Sequence, residues 1–241
     1  MPSREVEDVL AAHRGTERYI EPPRASAPRR WEIGHWALYK VATGRSVGYV
    51  KFSIVGESRC GFWFESLVVM GMYDDHTAFK VCLHDEPDLH VDLAKQGDLI
   101  RQFMSRRREQ IIAKDFRDGQ NGRARDNVSR MLEGFVILAW RGEAYPGRSE
   151  VIVPAGQFGG VVRMPARMYL DDELRAVMLW YHPDVPFGGT VKAEVFDEDD
   201  HVILEAELLD YGLTGARTEL PDFDEYKRTF GLDEPPPRYI R

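Results

Sequence analysis

The segment Ser46-Val47-Gly48-Tyr49-Val50-Lys51-Phe52-Ser53-Ile54-Val55-Gly56-Glu57 alternates with a period of two. Gly48, Val50, Phe52 and Ile54 make one fully apolar set, and Val47, Tyr49, Lys51 and Ser53 make a mixed one. Successive side chains of a strand point to opposite faces, so this pattern predicts a strand with one face in a core. Working outward, similar short segments rich in aromatic and β-branched residues run over 31–41, 61–73 and 76–86. Turn-forming pairs such as Thr43-Gly44 and Asp74-Asp75 separate them, at the spacing of an antiparallel meander. Strand patterns return over 135–140, 151–164, 174–182, 188–198 and 201–212, broken by Gly, Pro and Asp clusters. About nine strands are too many to stay in one small flat sheet, so the sheet is expected to curve.

Between Gly97 and Gly134 the period shifts to about three and a half. Leu99, Ile100, Phe103 and Met104, followed by Ile111, Ile112 and Phe116, would line one side of a helix that Asp98 starts. Val128, Met131, Leu132 and Phe135 suggest a second helix, with Gly119 and Gly122 between the two. The expected fold is therefore mainly β (α+β): a curved antiparallel sheet or open half-barrel of about nine strands wrapped around one or two helices. One domain spans 31–220, with a helical insertion at about 98–133. An extended leader (1–30) precedes it, and an acidic, proline-rich tail (221–241) follows it and is expected to trail over the surface.

The chain has 241 residues, 43% of them hydrophobic and 30% charged, which is ordinary globular composition with enough apolar material for a sizeable core. A formal net charge of −8 opposes binding to phosphate backbones and anionic headgroups. No apolar run reaches the roughly 20 residues of a membrane-spanning helix, and the amino terminus shows no signal-peptide core. The expected location is cytoplasmic as the sequence is written, and periplasmic or envelope if a leader was removed ahead of Met1. Cys60 and Cys82 both fall in apolar strand-like runs, which favours two buried free thiols over a disulfide.

Three kinds of site present themselves. The first is aromatic. Gly61-Phe62-Trp63-Phe64 places large apolar side chains on both faces of one strand, so both faces must be covered. Phe52, Phe62, Phe64, Phe103, Phe158 and Trp180 are the candidate lining of a concave face that takes an apolar small molecule or lipid, without a cofactor. The second is the basic face of the insertion. There Arg106, Arg107 and Arg108 would meet an acidic protein partner, although Glu109, Asp115 and Asp118 are interleaved with the arginines. The third is a metal-dependent enzyme built on His84, His90 and Asp92, set against the plainer reading of that run as a solvated turn. The common catalytic signatures are absent, including Gly-x-Ser-x-Gly, His-Glu-x-x-His and the phosphate-binding glycine loops. Gly156, Gly159, Gly160, Gly188 and Gly189 serve turns or bends.

Three stretches of the carboxy-terminal half, Val153-Pro154-Ala155-Gly156-Gln157-Phe158, Val185-Pro186-Phe187-Gly188-Gly189-Thr190-Val191-Lys192 and Leu208-Leu209-Asp210-Tyr211-Gly212, together with Trp180, resemble the lipoprotein-carrier (outer-membrane lipoprotein-sorting) type of envelope protein. The opening Gly34-His35-Trp36-Ala37-Leu38-Tyr39-Lys40-Val41 is similar to the starts of uncharacterised bacterial proteins of this kind. The resemblance covers about 31–220 and rests on short structural motifs. It implies an open half-barrel whose concave face, lidded by helices, holds acyl chains or another apolar molecule, with no catalytic residue.

Overall fold

The structure, a computed structural model, describes residues 19–20, 30–44, 46–70, 75–84, 99–107, 110–116, 125, 128, 149–170 and 173–230. It is mostly β. The strands are β1 (Tyr19–Ile20), β2 (Trp36–Thr43), β3 (Ser46–Ser58), β4 (Gly61–Met70), β5 (Asp75–Leu83), β6 (Ile100–Arg107), β7 (Gln110–Asp115), β8 (Ser149–Val153), β9 (Gly156–Leu170), β10 (Glu173–Tyr181), β11 (Thr190–Phe196) and β12 (Val202–Gly212). The helix α1 (Phe223–Phe230) follows β12. The strands form a single open sheet in the order β1-β9-β10-β11-β12-β2-β3-β4-β5-β6-β7, with β8 added on β9. All the pairings are antiparallel except β1 with β9.

The pairing is interrupted by register shifts, including Ile54/Gly56, Cys82/Leu83, Trp180/Tyr181 and Leu208/Asp210. Each bulge bends its strand and increases the local twist, so a sheet of this width curves instead of lying flat. At the Leu208/Asp210 shift the freed Leu208 carbonyl accepts the Ala155 N–H at 3.0 Å, which ties the β8–β9 turn to β12.

Two apolar clusters lie on opposite faces of the β3–β6 region. Val50, Phe52 and Ile54 of β3 and Phe64 of β4 belong to the larger cluster, which also takes Ile20, Val153, Phe158 and Phe187 from outside that region. We call this the inner face. The alternate residues Trp63, Leu67 and Val69 of β4 join Ala78, Cys82 and Met104 on the outer face, where α1 packs with Phe223 and Tyr226. Asp222 starts α1 by accepting the Glu225 N–H at 2.9 Å. Asp224 and Glu225 fill its first turn and Lys227 and Arg228 its last, all in the sense that the helix dipole favours.

The structure corrects three expectations. Residues 100–107 and 110–115 are the hairpin β6–β7, not a helix. The two periods were confused because β6 is covered on both faces: Ile100 and Phe103 face inward and Met104 outward, so the apolar residues do not alternate. Of the second expected helix, Arg125 and Val128 are described; both are helical, and Val128 is buried in the inner cluster. Twelve strands are found among the described residues where about nine were expected in all: β1 falls within the supposed leader, β6 and β7 within the supposed insertion, and 151–164 divides at Pro154-Ala155 into β8 and β9. Residues 223–230 do not trail, because α1 docks on the sheet. The expected strand at 135–140 lies outside the described residues.

Candidate functional site

The six aromatic residues singled out in the sequence all fall on the inner cluster. Phe52, Phe64, Phe103 and Phe158 are buried members of the inner cluster, and Phe62 and Trp180 are half-buried against it. The rings of Phe52 and Phe64 stack at 5.7 Å with an interplanar angle of 23°. Two further rings reach them from outside the strands. Trp31, ahead of β2, stacks on Phe64 at 5.5 Å and meets Phe62 edge-on at 6.1 Å. Phe187, between β10 and β11, lies 5.4 Å from Trp31, 6.1 Å from Phe52 and 5.9 Å from Phe64. Such offset and edge-to-face pairs add about 0.5–1.5 kcal/mol each beyond area burial.

Trp180 sits at the polar margin of this cluster. Register sets it between Arg163 of β9 and Lys192 of β11, and both cations lie over its ring, at 5.7 and 5.5 Å. Lys192 also bridges Glu194 at 2.9 Å and Glu205 at 2.6 Å. Deeper in, Tyr39 donates its hydroxyl hydrogen to the Thr190 carbonyl at 2.9 Å, and burial drives its pKa far above the ordinary tyrosine value.

Among the described residues, the buried acid and base of the strands, Glu65 and Lys80, are on the outer face. Glu65 accepts hydrogen bonds from the Thr218 hydroxyl and the Glu219 N–H, each at 2.7 Å. Lys80 donates to the Pro221 carbonyl and lies 5.0 Å from the Trp63 ring. Burial pushes the Glu65 carboxyl up, against the pull of Thr218, the Glu219 N–H and Lys80. It pushes the Lys80 ammonium down, against the attraction of Glu65 and Asp222. Beside them, Cys60 and Cys82 form a disulfide, which corrects the expectation of free thiols. Both are buried as expected. The β3–β4 turn brings Cys60 to a Cα–Cα distance of 6.2 Å from Cys82, within disulfide range. Gly61 makes that turn possible: at φ 129° a Cβ there would lie 1.9 Å from the Leu83 carbonyl oxygen.

The other candidates are dispersed. Arg106 lies at the end of β6, 3.8 Å from Glu219, and Arg107 is exposed beside it, so the basic residues sit on a strand and not on a helix. Arg108, His90 and Asp92 lie outside the described residues. His84 is exposed after β5, with its N–H on the Leu99 carbonyl at 2.8 Å. Among the described residues, no group of three His, Cys, Asp or Glu could hold a metal ion, and no helix is long and apolar enough to cross a membrane. Trp31 and Phe187 were not singled out as lining, because only the path of the loops carries them to the inner face. Their signal in sequence is slight: a bulky aromatic directly before Gly188-Gly189, and a tryptophan just ahead of the first long strand.

No family model matches the chain, and no curated protein matches it in sequence. Among solved structures it is similar to a Bacteroides fragilis protein with a YmcC-like fold, at 11% identity over 77% of this chain and 97% of that one, with a TM-score of 0.33. It is similar to the MucA/MucB complex of Pseudomonas aeruginosa at 12% identity over 79% of this chain, spanning 54% of that chain, with a TM-score of 0.35. The hypothetical protein CT021 of Chlamydia trachomatis aligns at 9% identity over 80% of this chain and 94% of that one, with a TM-score of 0.37. Likeness at this level carries no argument about function, which rests on the residues themselves.

Proposed function

We propose that the chain is a non-enzymatic binding or carrier protein that holds an apolar ligand or lipid against the inner face of its open sheet. The observation that carries this reading is that Phe52, Phe62, Phe64, Phe103, Phe158 and Trp180, from five different strands, all belong to or pack against the one apolar cluster of the inner face. The buried acid and base of the sheet, Glu65 and Lys80, lie on the opposite face. An apolar face with few polar groups suits recognition by dispersion and desolvation more than proton transfer. The Cys60–Cys82 disulfide supports an oxidising compartment, and with it the cell envelope, in place of the cytosol.

The test is native mass spectrometry, with organic extraction, of protein purified without detergent. The expected result is a co-purifying apolar molecule in near-stoichiometric amount, released on unfolding. An interior that yields no such molecule and takes up no added fatty acid overturns the reading.

A further inference from the structure

Two anomalies meet on the inner face. Among the described residues, the Ser66 hydroxyl is the buried side-chain polar atom that lacks a hydrogen-bond partner. Ser66 is 0% exposed, and register puts it directly between Phe52 of β3 and Phe79 of β5, both members of the inner cluster, with Phe64 two residues earlier on the same face. Orphaned polar groups in a well-packed interior are rare and costly, and a hydroxyl can both donate and accept.

The second anomaly is Phe187. Its φ is +59°, a left-handed conformation that a bulky residue rarely adopts, and Gly188 and Gly189 continue the loop at +84° and +77°. Yet Phe187 is only 3% exposed, and its ring lies 6.1 Å from that of Phe52, the cross-strand partner of Ser66, and 5.9 Å from that of Phe64, two residues before Ser66 on the same face. A left-handed loop residue therefore sets one aromatic ring against Phe52 and Phe64, the inner-face neighbours of the unsatisfied hydroxyl across the strand pair and along β4.

We propose that Phe187 is a built-in stand-in for the ligand and that Ser66 is the ligand's polar anchor. The ligand class this defines is a mostly apolar molecule bearing one hydroxyl or carbonyl group. It displaces the Phe187 ring, stacks on Trp31, Phe52 and Phe64, and gives the Ser66 hydroxyl its missing hydrogen bond. The inference rests on the binding reading above and specifies its site and its ligand chemistry. Release of the left-handed strain at Phe187 offsets part of the loss of its ring contacts.

The test is fluorescence titration of the full chain with naphthalene and 2-naphthol, a pair that differs by one hydroxyl. Phe187→Gly is expected to raise affinity for both by about tenfold or more, because the competing ring is gone. It should bind 2-naphthol about fivefold more tightly than naphthalene, the size of one net hydrogen bond. Adding Ser66→Ala should abolish that preference and leave naphthalene binding unchanged, while Ser66→Ala alone should raise Tm by removing a buried orphan. Phe187→Leu, which keeps apolar bulk and is safer for folding, should give a smaller gain of the same sign. Unchanged affinities in both Phe187 variants overturn the stand-in role, and a preference that survives Ser66→Ala overturns the anchor. If the wild-type protein still yields an extractable apolar molecule in either case, only this inference fails; if it yields none, the binding reading fails as well.

Discussion

Thr218 donates its hydroxyl hydrogen to Glu65 at 2.7 Å, so the segment after β12 is held to the outer face by a buried carboxylate in the middle of β4. The Glu219 N–H shares that carboxylate, Lys80 holds the Pro221 carbonyl, and α1 begins two residues later. Glu65→Ala removes the acceptor shared by the Thr218 hydroxyl and the Glu219 N–H, and the charge that attracts the Lys80 ammonium. Removing one member of a buried polar set costs about 2–4 kcal/mol. Urea unfolding should show that loss, with hydrogen exchange accelerated first at 218–226.

The same carboxylate sets a pH dependence. Burial is the largest influence on Glu65 and raises its pKa above the ordinary 4.5, so the folded protein keeps a proton where the unfolded chain has already lost it. Stability therefore falls as pH rises from about 4.5 through the raised folded value, and levels off above it. The difference in unfolding free energy between wild type and Glu65→Gln should shrink over that window. A difference that grows with pH would mean that Thr218, the Glu219 N–H and Lys80 outweigh burial.

The disulfide ties the β3–β4 turn to β5 across a sequence separation of 22 residues. Loop-closure entropy for that separation is worth about 3 kcal/mol. Cys60→Ala/Cys82→Ala, or reduction of the wild type, should lower the unfolding free energy by about that amount. Thiol titration of the untreated, denatured protein should find no free thiol. Two reactive thiols would refute the pairing and remove its support for an oxidising compartment.

Phe223 anchors α1. It is buried, and its ring lies 5.7 Å from that of Trp63. Tyr226, one turn on, donates its hydroxyl hydrogen to the Ile111 carbonyl at 3.3 Å. Phe223→Ala should cost about 3–5 kcal/mol, as for other buried aromatic truncations. It should also create binding of an apolar dye at the uncovered outer face. A helix that merely rested on the sheet would show neither effect.

These couplings explain what could be read from sequence. Strands β2, β3 and β10 to β12 were legible because polar residues such as Lys51 and Glu205 stand between apolar neighbours, and β4 and β5 because aromatic and β-branched runs are bounded by turn signals. The hairpin β6–β7 was not, because α1 covers the outer face of β6 and so permits Met104 there, beside inward Phe103. The docking of α1 depends on Glu65 and Lys80, whose partners Thr218 and Pro221 are distant in sequence. At the inner face, the aromatic side chains of the strands were identifiable as apolar material. The roles of Phe187 and Ser66 depend on a left-handed loop and on cross-strand register, which composition and periodicity do not contain.

The loop that carries Phe187 offers a controlled test of how tightly it is held. Gly189 has φ +77°, and a Cβ there would lie 2.3 Å from the Tyr181 ring and 2.8 Å from the His182 carbonyl oxygen. The ring could rotate, but the carbonyl is part of the backbone, and the His182 N–H donates to the Gly189 carbonyl at 2.8 Å. Gly215 has a similar φ of +87° with nothing within 4 Å of the added Cβ. Gly215→Ala should therefore cost only the left-handed penalty of about 1–2 kcal/mol. Gly189→Ala adds a backbone collision to that penalty, for a total of about 3 kcal/mol or more. Thermal unfolding of the two variants side by side isolates the collision, because the conformational term is common to both. Equal losses would mean that the Phe187 loop shifts freely, and that its left-handed geometry is not imposed by Tyr181 and His182.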